Sequence, residues 1–366
     1  MMERRAYLNQ LVSWKDIDII KLVVGVRHCG KTTILKMYQE YLLNSGVDQS
    51  QIISINFDDL EYEELLDYHK LYQYIKDRLV ENKMIYVFLD EIQNVPSYGK
   101  VVDSLYVKEN IDIYIVRSTK HPITHLNSQY IEIHVLPLSF KEIYKPGTDK
   151  EEAFQKYMKT GGFPYINQIQ LDKEQIDMYL EGINNTVIVK DMEALCESYL
   201  YYPVEVMDIS GKEVLKSNKK YYIVDSGIRN YILPKQSYDL GFTIENIVYL
   251  ELLRRRYIVN IGRSELAKVD FIAKRNDVYT YIQVTASLVD ENTFNREISP
   301  LKLIEDNYEK IILTLDRYTL GNYDGIKVNN IIDWLLQEWA AAIRFATAFF
   351  HYLNSSIYFL KNGTTV

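Results

Sequence analysis

Positive charge is in short supply in this chain. Its 366 residues hold 42 Lys and Arg against 50 Asp and Glu, for a net charge of −8. Such a balance offers little phosphate neutralisation and argues against broad nonspecific nucleic-acid binding. Two short basic stretches, Arg254–Arg256 and Lys216–Lys220, read as solvated surface, with a local basic patch as the alternative. Cysteine is scarcer still. Cys29 and Cys196 are the only two, so neither a disulfide framework nor a cysteine-rich zinc site is expected, and a reducing, cytoplasmic setting is. No apolar run reaches the roughly 18 residues of a spanning helix. The opening MMERRAYLNQ has no apolar signal core, so secretion is not expected. His28, His121, His125 and His134 fit no common zinc spacing, and His134 is expected to face solvent on an edge strand. No internal repeat or low-complexity tract stands out.

What is present is ordinary for a globular chain: 47% hydrophobic and 25% charged residues, enough for two domains and a smaller third. The 32 tyrosines are unusual, and many are expected to pack their rings while keeping the hydroxyl wet. Apolar runs at 18–26, 51–59, 83–95, 110–118 and 129–138 read as five strands. Helical spacing at 31–45 and 68–81 falls between them, which argues for a parallel sheet with helices on both faces. Further on, a helix, a Gly-Gly-Phe-Pro turn and another helical stretch lead to about 202. Strands are expected around the Ser210-Gly211 turn. A helix at 246–257 and strands near 268–275, 279–287 and 310–315 outline a second α/β unit.

The stretch VVGVRHCGKTT, Val23 to Thr33, carries the first chemistry. Gly25-x-x-x-x-Gly30-Lys31-Thr32 follows an apolar strand and opens a helix, the context a phosphate loop requires. Amides of Gly25, Val26, Arg27, His28, Cys29, Gly30, Lys31, Thr32 and Thr33 would cradle phosphate. Lys31 would reach the β- and γ-phosphates, and Thr32 would ligate Mg²⁺. Cys29 reads as a small residue that fits the loop. Phe88-Leu89-Asp90-Glu91 supplies the second half: Asp90 to hold Mg²⁺, and Glu91 as the base that orients water. One strand lies between the two motifs in the chain, an order that suits ATPases better than kinases or GTPases. No Asn-Lys-x-Asp guanine reader is present.

With GVRHCGKTT, INFDDLEYEEL, YVFLDEIQNV, IEIHVLPLSFKEIY, GGFPYI, NTVIVKD, KYYIVDSGIRN, ENIVYLELLRRRY, KVDFIAK, YIQVTASL and NYDGIK in this order, the chain resembles prokaryotic AAA+ ATPases with a C-terminal domain of unknown function 4143. The resemblance runs from about Arg5 to Leu336, with gaps. It implies an α/β fold: a P-loop NTPase parallel sheet of the AAA+/ASCE type, a reduced helical middle, and a second, C-terminal α/β domain like restriction endonucleases. The expected division is 1–144, 145–220, 221–336 and an apolar tail, 337–366. ATP and Mg²⁺ are the implied ligands, with Lys31, Thr32, Asp90 and Glu91 at the Walker positions.

Departures from the family pattern qualify this. Where the family has a Thr-Gly-Ser sensor, this chain has Val116-Arg117-Ser118; Arg117 would neutralise phosphate or point outward. A shortened link puts Gln129 where the family has an arginine, and losing an arginine finger can cost about 10³–10⁵ in rate. Only MEALCESYL stands between Asp191 and Tyr201, too little for a winged helix, so most of the DNA-binding expectation falls away. Glu251, Asp270 and Gln283 lie near the family's nuclease metal positions, but the third acid is an amide and its lysine is missing, which favours an inactive nuclease or interaction domain. Three functions stay open: a slow Mg²⁺-dependent ATPase acting as switch or motor, a binding-only nucleotide sensor, and a nuclease-linked defence component. A protein client and a homo-oligomer are open partners. The tail reads as a packing helix or extension, with a membrane-associating or partner-binding helix as alternatives.

Overall fold

A computed structural model describes residues 4–120, 129–169, 171–185, 191–216, 219–233, 239–265 and 267–337. The first lobe begins with α1 (Arg5–Ser13) and β1 (Ile20–Val24), then α2 (Lys31–Asn44), β2 (Ile52–Asn56), α3 (Tyr68–Lys76), β3 (Ile85–Asp90), α4 (Tyr98–Tyr106), β4 (Ile111–Arg117) and β5 (Tyr130–His134). Its five strands are all parallel, in the order β2-β3-β4-β1-β5. Every residue of β1 and β3 is buried, as expected for strands covered on both faces. The strand carrying Asp90 is therefore separated from the strand feeding the glycine loop by β4. His134 is exposed on edge strand β5 and bonds Glu132.

The middle is helical: α5 (Phe140–Ile143), α6 (Lys150–Thr160), α7 (Pro164–Gln168), α8 (Lys173–Asn185) and α9 (Met192–Glu197). Next come β6 (Tyr201–Val204), β7 (Val206–Asp208), β8 (Lys220–Ile223), α10 (Ser226–Ile232) and α11 (Leu240–Arg254). The chain closes with β9 (Ile258–Arg263), β10 (Lys268–Arg275), β11 (Val278–Thr285), α12 (Glu291–Lys302), β12 (Glu309–Thr314), β13 (Gly321–Tyr323), β14 (Ile326–Asn330) and α13 (Ile331–Leu336). These build a seven-stranded mixed sheet in the order β13-β14-β12-β11-β10-β9-β7, while β6 and β8 pair separately. The strands around Ser210-Gly211 thus go to two different sheets. Aspartates start many of these helices: Asp67, Asp149, Asp191, Asp225, Asp239 and Asp290 each accept from first-turn amides.

One hydrophobic core runs from the parallel sheet through Phe140, Phe154 and Phe163 to Ile247 and Leu250 of α11 and Phe271 of β10. The tyrosines go deeper than expected. Tyr38 and Tyr114 are fully buried and share a hydroxyl–hydroxyl bond of 2.7 Å. Two readings of α11 need correction. The side chains of Arg254 and Arg255 are largely buried, not a solvated or basic patch: Arg255 Nε donates to Glu251 Oε1 at 2.8 Å, and Arg254 donates to the Pro137 carbonyl at 2.9 Å. Glu251 is therefore the counter-ion of these arginines. No described helix is long and apolar enough to cross a membrane. The apolar tail, apart from Gln337, as well as His121 and His125, lies outside the described residues.

Candidate functional site

The glycine loop joins β1 to α2 and turns sharply. A Cβ on Gly25 would stand 2.1 Å from the Val135 carbonyl oxygen, so the backbone passes too close for any side chain. Gly30 enters α2 at φ +100°, a left-handed conformation that favours glycine. No side chain caps this 14-residue helix, leaving its first amides open to an anion. Behind the loop stands Arg4, which is 2% exposed. It donates to the carbonyls of Cys29 and Leu136, each at 2.8 Å, and pairs with Glu142 at 2.9 Å. Cys29 is wholly buried, with Sγ 3.2 Å from the Val135 carbonyl, and burial pushes its thiol up.

A cleft of about 560 Å³ opens over the loop, a size suited to one nucleotide. Arg27, His28, Gly30, Lys31, Thr32 and Thr33 form its floor. Asn56, Asp58 and Glu91, from the ends of β2 and β3, also line it. Pro164, Tyr165 and Gln168 of α7, with Tyr179 of α8, complete the lining.

Lys31 is 5% exposed and folds back, donating to the carbonyls of Gly25 at 2.9 Å and Val26 at 3.0 Å. Thr32 Oγ1 donates to Asp90 Oδ2 at 2.6 Å. Asp90 Oδ1 is buried without a hydrogen-bond partner, and burial raises this carboxyl despite the Thr32 bond. A hydroxyl beside an unsatisfied carboxylate oxygen is a donor set that fits Mg²⁺. Glu91 adopts φ +54°, a strained left-handed conformation for a glutamate. Its carboxylate accepts from Ser118 Oγ at 2.5 Å and from the Gln93 amide. His28 is exposed, and its imidazole is shifted down by partial burial and by Lys31 and Arg27.

The two departures near β4 and β5 land differently. Ser118 reaches Glu91, but Arg117 is absent from the cleft. It is 2% exposed, its guanidinium 5.8 Å from the centre of the Tyr98 ring, so it does not point outward. Gln129 accepts from the amide of Ile20, at the opposite end of β1 from the loop. A five-residue strand spans about 16 Å, so Gln129 cannot serve the cleft of its own chain.

In the second lobe, Asp270 and Gln283 do meet: Gln283 Oε1 accepts from the Asp270 amide at 3.1 Å, and Asp270 Oδ2 accepts from the Val284 amide at 2.9 Å. Glu251 is not with them. The carboxylates that act on Asp270 are Glu245 and Glu297, with Lys220 also near, and burial chiefly pushes Asp270 up to about 7. Gln283 Nε2 donates to Glu297 at 2.6 Å, so the amide is spent on internal bonds. No group of three or more metal-ligating side chains occurs among the described residues.

Arg4, Asn56, Asp58, Tyr165, Gln168 and Tyr179 escaped sequence reasoning. GGFPYI contains Tyr165, and INFDDLEYEEL contains Asn56 and Asp58, but neither motif assigns them a role. A further missed residue is Asp225 at the start of α10. It accepts from the amides of Gly162 at 2.6 Å and Gly227 at 2.8 Å, which ties the turn before α7 to the second lobe.

Residues 18–144 match the AAA domain family. An uncharacterized protein of Haemophilus influenzae is 32% identical, with 92% of this chain and 99% of that protein aligned. One from Methanocaldococcus jannaschii is 26% identical, covering 82% and 84%. Among solved structures, the Walker-type ATPase PABY2304 of Pyrococcus abyssi aligns with TM-score 0.39 and 13% identity over 63% of this chain and 96% of its own. The C. elegans PCH-2 structure aligns with TM-score 0.27 and 18% identity over 42% of this chain, which spans 44% of that one.

Proposed function

The chain belongs to the family of the Haemophilus influenzae protein and carries an AAA domain of the P-loop ATPase type, and from that premise we propose that it binds ATP with Mg²⁺ and hydrolyses it slowly, as a switch or motor. The observation that carries the reading is the joining of Thr32 to Asp90 beneath the open end of α2, with Asp90 Oδ1 left unsatisfied. The loop amides and Lys31 bind the phosphates, Lys31 first leaving the carbonyls of Gly25 and Val26. Mg²⁺, held by Thr32 and Asp90, supplies charge neutralisation on the phosphate oxygens. Glu91 orients a water and takes its proton as the γ-phosphate leaves, giving ADP and inorganic phosphate. Arg27, which lines the cleft, is a candidate for further charge stabilisation, and Arg117 is not among the lining residues, which is consistent with a slow reaction.

The lobes act together: residues 1–144 as nucleotide core, 145–220 as connector and 221–336 as interaction domain. The occupied amide of Gln283 favours an interaction role for the last over nuclease action. A cytoplasmic protein acting on a protein client, alone or as a homo-oligomer, is the setting we propose, and the free thiols of Cys29 and Cys196 suit its reducing conditions. The test is phosphate release by the full chain beside Lys31→Ala. Turnover of ATP that Lys31→Ala abolishes supports an ATPase, and equal rates refute it. Tight binding without turnover in wild type would leave the binding-only sensor.

A further inference from the structure

We propose that Tyr165 and Tyr179 form the subsite for the nucleobase, holding a purine by stacking, with the Gln168 amide at its edge. This rests on the cleft being the nucleotide site. Both rings line the same cleft as Lys31, Thr32 and Glu91. The loop amides, Lys31 and Thr32 mark where the anionic end of a nucleotide belongs, and the two tyrosines share the cleft with them.

The two rings are stacked, with centroids 5.0 Å apart and planes inclined by 22°. Tyr179 is braced from behind by Phe163 at 6.3 Å, edge to face. Phe163 is fully buried, while Tyr165 is 47% exposed. Pro164 links this wall to the loop, its Cγ 3.7 Å from where a Cβ on Gly30 would stand. A large, exposed, pre-stacked aromatic surface beside a phosphate cradle suits a flat base, because every base offers a π-face.

Gln168, on the same short helix as Tyr165, also lines the cleft. Its amide presents a donor and an acceptor and turns over freely, so it matches a 6-amino or a 6-oxo purine equally. Stacking area, not edge reading, then sets preference: purine over pyrimidine, with ATP and GTP bound within about tenfold of each other.

The experiment measures affinity of the full-length chain for ATP, GTP, CTP and inorganic tripolyphosphate in Mg²⁺, for wild type, Tyr165→Ala, Tyr165→Trp and Lys31→Ala. Losing a stacked ring weakens a base by about five- to 150-fold. Tyr165→Ala is expected to weaken ATP and GTP by that factor and leave tripolyphosphate unchanged, and Tyr165→Trp to restore both. Unchanged ATP affinity in Tyr165→Ala overturns the subsite. So does equal weakening of ATP and tripolyphosphate, which would make the ring a support for the loop. In either case loss of both ligands in Lys31→Ala leaves the nucleotide-site reading standing. Wild type that binds neither ATP nor tripolyphosphate overturns that reading and the subsite together.

Discussion

Thr32 and Asp90 are 58 positions apart in the chain and joined by one hydrogen bond of 2.6 Å, which leaves the other Asp90 oxygen buried and unpaired. An unpaired buried carboxylate oxygen is costly, and a cation in reach of it and the Thr32 hydroxyl relieves that cost. Asp90→Asn should therefore remove the Mg²⁺-dependent part of ATP stabilisation. Thermal melts with ATP, in EDTA and then in Mg²⁺, check this. Saturating ligand stabilises a folded chain by about 2.7 kcal/mol at 100 times Kd. A full Mg²⁺ increment in the variant would sink the metal assignment.

Glu91 lies at the end of the buried β3, with Ser118 and Gln93 holding its carboxylate. Glu91→Gln keeps the shape and removes the basic oxygen. Steady-state phosphate release should fall about 10²–10⁴-fold, while ATP affinity stays near that of wild type. Matching turnover rates would show that another group activates the water.

Arg4 braces the loop from behind through two carbonyls and Glu142. Truncating it leaves Glu142 with a largely buried charge and two carbonyls unpaired. Arg4→Ala should cost about 3 kcal/mol in denaturant unfolding. Nucleotide affinity should fall too, because the Cys29 carbonyl is part of the loop. A loss below about 1 kcal/mol would show that the brace is dispensable.

Asp225 connects the α7 turn to the second lobe and is pushed up from 3.8 to about 6 by burial, against the pull of its amide donors. The folded chain then binds more protons than the unfolded chain between those pH values. The stability this group contributes is fully present below about pH 4 and is lost as pH rises through 6, by about 3 kcal/mol. Asp270, pushed up to about 7, slopes the same way in an overlapping window. The readout is accordingly the difference between wild type and Asp225→Asn, measured by urea unfolding from pH 4 to 7. Parallel pH profiles would exclude Asp225 as the source.

Much of the first lobe was legible because its signals are local. Five apolar runs became five parallel strands within a few residues of the expected ends, since a strand buried on both faces needs an unbroken apolar run. The loop was legible because glycine spacing and the following helix are backbone requirements. The second lobe was harder. The family pattern points to Glu251 as the metal-site acid of α11, yet Glu245 is the α11 carboxylate near Asp270. Six residues on a helix differ by about 120° in facing, so a correct helix still leaves the facing residue undecided. Arg254 and Arg255 misled for a related reason: a run of arginines reads as solvated until a buried carboxylate and carbonyls are found to receive it.

The sequence by itself determined the phosphate loop, the Asp90-Glu91 strand end and the strand–helix alternation of the first lobe, because each rests on periodicity or backbone geometry within a dozen residues. Only the tertiary structure decided that Arg4 braces Cys29, that Tyr165 and Tyr179 line the cleft, that Arg117 is buried beside Tyr98 and that Asp225 holds the α7 turn. Each of these joins segments from tens to more than a hundred residues apart, and no local pattern records which distant partner a side chain will meet.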